Sequence, residues 1–195
     1  MLSLTSELEA VNSMLRSVRQ APVSTLIGDI GLDAEFARDM LRERSLAVQS
    51  ERWSFNYVPS VELTPHLTTK EIQLPNGAVS ADVPLSEQRT DIDVTVRGTR
   101  LFDRCDNSYE FDKPVKVELL MALDWEDLPQ QARHFIYVSA ARRFQDRVLG
   151  SGEDHQFQLR DEFTARQTLM EWDAQQADHS MFDALVTLRP INRPR

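Results

Sequence analysis

Residues able to do chemistry are present, but their spacing does not assemble a recognisable reactive group. The four histidines, His66, His134, His155 and His179, lie far apart, with no cysteine or carboxylate at metal-ligand spacing. The sequence contains no glycine-rich phosphate loop and no nucleophile-elbow motif. We therefore expect no metal site, no cofactor and no catalytic triad.

A second group of candidate ligands is acidic. Asp103, Asp106 and Asp112, together with Asn107, gather oxygen atoms around a predicted hairpin turn. They lack the ligand spacing and the terminal bidentate glutamate of a calcium loop. A solvated turn is the favoured interpretation.

Neighbouring carboxylates offer one enzymatic alternative. Asp124 with Glu126, and Asp161 with Glu162, could serve as the acid and base of glycoside cleavage. The chain has 31 acidic residues, so pairs of this kind are expected by chance. A polysaccharide or peptidoglycan hydrolase is the alternative to a non-enzymatic protein.

The composition is that of a globular protein with an acidic surface. The chain has 195 residues, of which 41% are hydrophobic and 27% charged, and no apolar run approaches a membrane span. Its N-terminus does not resemble a secretory signal, and the lone Cys105 suits a reducing cytoplasm or indifference to redox conditions. The net charge of −9 disfavours nucleic-acid binding through phosphate contacts.

Helical periodicity appears in two separate parts of the chain. Ser6 and Glu9 form a capping box before a first helix, and Asp33 is expected to cap a second. Asp127 is expected to cap a third helix that ends near Gly150, and a fourth is expected over about 154–177. The residues expected to be buried are Leu8, Val11, Leu15 and Val18 in the first helix, and Phe36, Ala37, Met40, Leu41 and Ala47 or Val48 in the second. In the third helix they are Leu128, Ala132, Phe135, Val138, Ala141 or Arg142, and Leu149. In the fourth helix they are Phe157, Phe163, Met170 and Trp172.

Between these helices the pattern changes to the period of two that is typical of strands. The expected strands are 53–57 with a continuation after Pro59, 71–74, 92–96, a hairpin of 99–103 with 108–111, and 115–123. The sequence therefore predicts an α+β fold. Residues 1–51 and 127–184 form a four-helix bundle from both chain ends, 52–126 an inserted antiparallel β-sandwich or open barrel, and 185–195 an extended C-terminal arm.

Two stretches carry a distinctive order of residues. The first includes AVN at 10–12, APVSTL at 21–26, GD at 28–29 and QSERWSFN at 49–56; the second begins with DWEDLP at 124–129 and continues to 144. Together they resemble the tail tubular protein A family, the head–tail adaptor of short-tailed bacteriophages. The resemblance covers the first 56 residues well and about 124–150 moderately.

The resemblance implies a structural, non-enzymatic virion protein. It implies a ring, usually of twelve copies, under the portal protein, with the nozzle (tail tubular protein B) and the tail fibres on its other face. It also implies a location in the virion tail, after assembly in the host cytoplasm. DNA is expected to pass through the ring without specific binding, and no membrane partner is expected. Some members have been proposed to hydrolyse polysaccharide, which keeps the hydrolase alternative open, and a free-standing cytoplasmic interaction domain is a third possibility.

Basic residues are the candidates for contact with the portal or a neighbouring subunit. Arg142 and Arg143 on the third helix could make this contact, or could belong to a solvated face paired with acids of the fourth helix. The C-terminal arm is the other candidate, with a frayed tail as its alternative. Its proposed contact residues are Leu188, Arg189, Ile191, Arg193 and Arg195.

Overall fold

The chain folds into a helical unit and a β unit. A computed structural model describes the backbone of residues 4–84, 92–150 and 152–185, and the side chains of the last helix over 158–176. The helical unit comprises Met1–Arg44 with Leu128–Arg195, and the β unit comprises Ser45–Asp127. The protein is therefore α+β, with four α-helices and small antiparallel sheets in the described residues.

The four helices follow the two helical stretches of the sequence. They are α1 (Glu7–Ser17), α2 (Leu32–Gln49), α3 (Gln130–Leu149) and α4 (Gly152–Leu185), and the division between the units falls inside α2.

Helix α1 begins as its capping box predicts. The Glu9 backbone N–H donates to Ser6 Oγ at 3.2 Å, and the Ser6 N–H donates to the Glu9 carboxylate at 2.9 Å. These reciprocal bonds satisfy two backbone groups that a helix start otherwise leaves unpaired. Of the expected stripe, Leu8 is only half-buried; the buried residues within α1 are Ala10, Val11, Met14 and Leu15.

The start of α3 differs from the prediction. Asp127 lies in a separate 3-10 turn, Trp125–Asp127, and the N-cap residue is Pro129, which offers no side-chain hydrogen bond. Arg133, although buried, donates to the carbonyls of Leu128 at 2.8 Å and Thr5 at 3.1 Å. Backbone carbonyls of preceding segments therefore hold this first turn in place of an aspartate cap.

Two expected core residues of α4 point outward. Phe163 and Met170 are 63% and 46% exposed, whereas Ala165 and Leu169 are buried. Helix α4 carries apolar residues on two faces, so periodicity alone could not choose which one packs inward. Phe36 of α2 is likewise 39% exposed instead of buried. Trp172 is half-buried, and the Phe157 side chain lies outside the described residues.

The expected buried sets of α2 and α3 are otherwise partly confirmed. In α2 the buried apolar residues are Ala34, Ala37, Met40, Leu41 and Val48. The α3 set is correct for Leu128, Ala132 and Phe135, whereas Val138, Ala141 and Arg142 are half-buried. Leu149, at the exposed end of α3, is 47% exposed, so that expectation was wrong.

The β unit contains a three-stranded sheet and a hairpin. The sheet has the order β1 (Tyr57–Leu63), β5 (Val115–Met121), β2 (Ala78–Asp82), and the hairpin pairs β3 (Val94–Arg97) with β4 (Arg100–Asp103). All pairings are antiparallel. Apolar residues from the sheet, the hairpin and the segments beside them share one core that includes Ile72, Leu74, Val94, Leu101, Phe111, Val115, Val117 and Leu119.

The aromatic alternation of 53–57 comes from a turn, so the strand expected there was wrong. Trp53 is buried, and its indole N–H donates to the Val48 carbonyl at 2.8 Å. The buried Asn56 amide donates to the carbonyls of Gln49 at 2.6 Å and Met121 at 3.0 Å. These bonds fix a turn that precedes β1, which then continues through Pro59 with a bulge between Val58 and Val61.

The hairpin forms between β3 and β4, and not between 99–103 and 108–111 as expected. Strand β4 pairs with β3 around Gly98 and Thr99, and only an isolated bridge joins Asp103 to Ser108. The stretch 71–74 makes two isolated bridges and is not a strand, whereas β2 was not predicted. The strand expected at 115–123 is confirmed as β5, over Val115–Met121. The four-helix bundle and the sandwich or open barrel stay predictions.

Gly77 tests the packing next to β2. Its φ is +84°, and an added Cβ would lie 2.7 Å from the Ala122 carbonyl oxygen. We expect Gly77→Ala to lower the free energy of unfolding by about 2–4 kcal/mol, measured by urea denaturation. Gly98→Ala is the matched control, because Gly98 also has positive φ but open space around it, and should cost about 1 kcal/mol. Equal losses would contradict the close approach.

Candidate interaction surfaces

Arg142 lies in an ionic cluster inside the helical unit. Its Nε donates to Glu162 Oε2 on α4, and Nη1 donates to Asp146 at 3.2 Å. The side chains of Arg142 and Glu162 are only 16% and 15% exposed. The guanidinium is thus already paired with an acid of the fourth helix, as the alternative interpretation proposed, and its partner contact stays a prediction.

The same carboxylate also connects α2 to α3 and α4. Ser139 Oγ donates to Glu162 Oε1 at 2.5 Å, and Arg44 Nε donates to Ser139 Oγ at 2.6 Å. A second Arg44 nitrogen lies 3.8 Å from Glu162. The guanidinium groups of Arg44 and Arg166 lie over the Phe135 ring, 5.4 and 5.6 Å from its centroid. Glu162 is therefore the acceptor shared by three helices.

The surroundings of Glu162 favour its ionised form. Burial raises the pKa of its carboxyl, but hydrogen bonds from Arg142 and Ser139 and the charges of Arg142 and Arg44 together lower that pKa below its ordinary value. A general acid of glycoside cleavage needs a raised pKa. Glu162 is therefore poorly suited to be the general acid of such a pair.

The other predicted contact residues are less defined. Arg143 is half-buried, and no ion pair of it is found among the described side chains. The remaining predicted residues all belong to the C-terminal arm and lie outside the described residues: Leu188, Arg189, Ile191, Arg193 and Arg195.

One exposed surface lies on α2 and was not predicted. Five exposed residues recur at helical spacing, and we call them the α2 outer strip: Leu32, Glu35, Phe36, Asp39 and Glu43. Leu32 is 85% exposed. Phe36 was predicted to lie on the buried face, although the three acids at the same spacing could have indicated an outward face.

The basic residues of α2 are engaged away from this strip. Arg38 donates to the Leu26 carbonyl at 2.8 Å, and Arg42 Nε lies 3.5 Å from the Glu7 carboxylate. Among the described side chains, no salt bridge involves Glu35, Asp39 or Glu43. The strip therefore combines apolar side chains with a local excess of negative charge.

The connection before α2 is built by side-chain hydrogen bonds. The Asn12 amide donates to the Val23 carbonyl at 2.9 Å and accepts from the Val23 N–H at 2.7 Å. Thr25 Oγ1 accepts from the Ile27 N–H at 3.1 Å, which satisfies a backbone donor of the loop. These bonds order a loop on which Ile27 is 85% exposed.

A second apolar surface lies on α4. Leu159, Phe163 and Met170 occur at positions i, i+4 and i+11, and each is more than 40% exposed. We call these three residues the α4 stripe. Clustered large apolar side chains on one helix face are typical of a surface that contacts another protein.

The acidic turn of the β unit borders a cavity of about 270 Å³ whose lining includes Asp103, Asp106, Glu110 and Asp112. Lys70 Nζ donates to Asp112 at 2.6 Å, and this bond and charge lower the pKa of the Asp112 carboxyl. Within the described side chains, no group of three or more His, Cys, Asp or Glu is arranged to hold a metal ion. The solvated-turn interpretation and the absence of a metal both stay predictions.

The described residues form helices, small sheets and exposed apolar surfaces. None of the helices in this part of the chain is long and apolar enough to cross a membrane. Ordered loops and apolar stripes of this kind are expected of a protein that assembles with other proteins.

Comparison with known proteins gives the family. The family model described as "Tail tubular protein" matches residues 8–179. Tail tubular protein A of Klebsiella phage KP34 is 28% identical over 130 residues, which cover 67% of this chain and 66% of that protein, just under two thirds of its length. The chain belongs to the tail tubular protein family, and is thus a structural protein of the bacteriophage tail, located in the virion tail.

Removal of the shared acceptor tests the ionic cluster. We expect Glu162→Gln to lower the free energy of unfolding by about 2–4 kcal/mol, because Arg44 and Arg142 each lose an acidic partner in a partly buried site. The matched control Asp161→Asn changes an exposed neighbour and should cost less than about 0.5 kcal/mol. Chemical denaturation measures both, and a neutral Glu162→Gln would contradict the structural role of the cluster.

The same carboxylate should make stability depend on pH. Because the folded-state pKa of Glu162 is depressed, its contribution is fully present above the unfolded-state value of 4.5. It is lost as the pH falls through the lower folded-state pKa. Denaturation midpoints measured from pH 6 to about 3 should therefore fall less steeply in Glu162→Gln than in the parent protein. Parallel profiles would show that Glu162 is not the linked group.

Proposed function

We propose that this protein is the head-to-tail adaptor of its phage. Copies form a ring, twelve in number by the family resemblance, between the portal protein and the tail nozzle. The observation that carries the proposal is a family match over most of the chain, together with exposed apolar surfaces on α2 and α4. The role is structural and non-enzymatic.

Two dissimilar surfaces on one helical unit support a ring. The α2 outer strip is acidic and apolar, whereas the α4 stripe is formed by three large apolar residues. A ring uses heterologous contacts, in which one surface of a copy meets a different surface of its neighbour or of the portal. We assign the α4 stripe to such a contact.

The net charge of −9 supports passage of DNA without binding. Carboxylates that face a lumen repel phosphate groups, so DNA can slide through the ring. In this proposal, the nozzle (tail tubular protein B) and the tail fibres contact loops of the β unit, and assembly takes place in the host cytoplasm.

Electron microscopy of the protein mixed with portal rings from the same phage tests the proposal. In negative stain, we expect a new ring layer on the portal. Phe163→Glu should abolish the layer, because a charge in an apolar contact loses its hydration. Thr164→Glu, at an exposed neighbouring position, is the matched control and should retain it.

Two results would count against the proposal. Bare portal rings with the parent protein would contradict the adaptor function. A layer that both variants form would keep the adaptor but remove the α4 stripe from the contact.

A further inference from the structure

We propose that the C-terminal arm of one copy docks on the α2 outer strip of a neighbouring copy. The inference rests on the proposed ring and adds the surface that receives the arm. It starts from an exposed strip whose acids have no salt bridge within the described part of the chain. Its occupant is a segment of this chain that follows α4.

Charge and polarity match between the two elements. Residues 186–195 include Arg189, Arg193 and Arg195, with the apolar residues Leu188 and Ile191 and no acidic residue. The α2 outer strip supplies three carboxylates next to two apolar side chains, one of which is 85% exposed. Arginine–carboxylate pairs around apolar anchors give both attraction and register.

The lengths of the two elements also agree. From Leu32 to Glu43 the helix rises about 17 Å along its axis. An extended chain from Arg189 to Arg195 spans about 20 Å. The three acids span about 12 Å of this rise, so the arm is long enough to extend along all of them.

The arm cannot reach the strip of its own chain. Ser139 accepts a hydrogen bond from Arg44 and donates one to Glu162. Because Arg44 follows Glu43 in the chain, the Glu43 end of the strip lies at the same height along the helix axes as Glu162 of α4. Helix α4 continues to Leu185, which places its end about 35 Å farther along the axis. Ile191 lies six residues beyond Leu185 and reaches at most about 21 Å from it.

The rest of the strip is more distant still. Phe36 of α2 packs against Phe144 of α3, and the next α3 residue, Gln145, accepts a hydrogen bond from Gln158 near the beginning of α4. The Leu32 end of the strip therefore lies toward the beginning of α4. Docking of Leu188 and Ile191 within one chain is excluded by this distance. The arm must therefore bind a second copy, and such a contact is heterologous, as a ring requires.

Disulfide trapping in the full-length chain tests the inference. The exposed Cys105 is replaced by Cys105→Ser, and Glu43→Cys is combined with Asn192→Cys. The variant is oxidised both as concentrated protein and after addition to portal rings. We expect a ladder of covalent multimers joined through positions 43 and 192, identified by mass spectrometry.

The matched control keeps Asn192→Cys but moves its partner to Thr168→Cys, an exposed position of α4 outside the strip. It should give little multimer. In the trapping variant, reversal of the charge of the α2 outer strip by Glu35→Arg with Asp39→Arg should remove most of the cross-linked product. Adding Arg189→Glu and Arg193→Glu should restore it, which a loss of folding could not explain.

The outcomes separate this inference from the proposed function. A portal layer without cross-links through positions 43 and 192 would overturn the docking and keep the adaptor. Cross-linked multimers without a portal layer would keep the docking and overturn the adaptor. Cross-links confined to single chains, or as abundant in the control, would also overturn the inference.

Discussion

The Glu162 carboxylate is the interaction on which the helical unit depends. It accepts from Arg142 and Ser139, and Ser139 in turn accepts from Arg44, so a single acid fixes α2, α3 and α4 in register. Burial of the carboxylate is unfavourable by itself, but the surrounding donors and positive charges offset it and keep the group ionised. Directional bonds of this kind specify one arrangement of helices, which apolar packing alone does less well.

This polar core has a consequence for the surface. The inward face of α4 carries the buried Ala165 and Leu169 and the half-buried Glu162, which accepts a hydrogen bond from Ser139 of α3. The larger apolar residues Phe163 and Met170 remain outside. The same element thus closes the helical unit and presents a surface for another protein. In the proposed ring, stability of the single copy and contact between copies use opposite faces of one helix.

Local signals in the sequence were the most informative. The Ser6–Glu9 capping box, Gly150 at the end of α3 and the alternation of Val115, Val117 and Leu119 each predicted what the structure contains. These features depend on neighbouring residues, so they can be read without knowledge of the fold. The family resemblance rested on the order of residues and is confirmed.

Features fixed by distant partners could not be predicted. Trp53 alternates like a strand residue, but its indole bonds the Val48 carbonyl, and Asn56 bonds the Met121 carbonyl far along the chain. Phe36 had the spacing of a buried residue, yet lies on the exposed α2 outer strip. In each case periodicity alone does not determine the secondary structure or the buried face, because a tertiary contact or a second apolar face determines it.

Cryo-electron microscopy of the intact phage particle tests the central claim most directly. We predict a closed ring of this chain between the portal and the nozzle, with density for residues 186–195 on α2 of the adjacent copy. A chain found elsewhere in the tail, or present there without a ring, would contradict it.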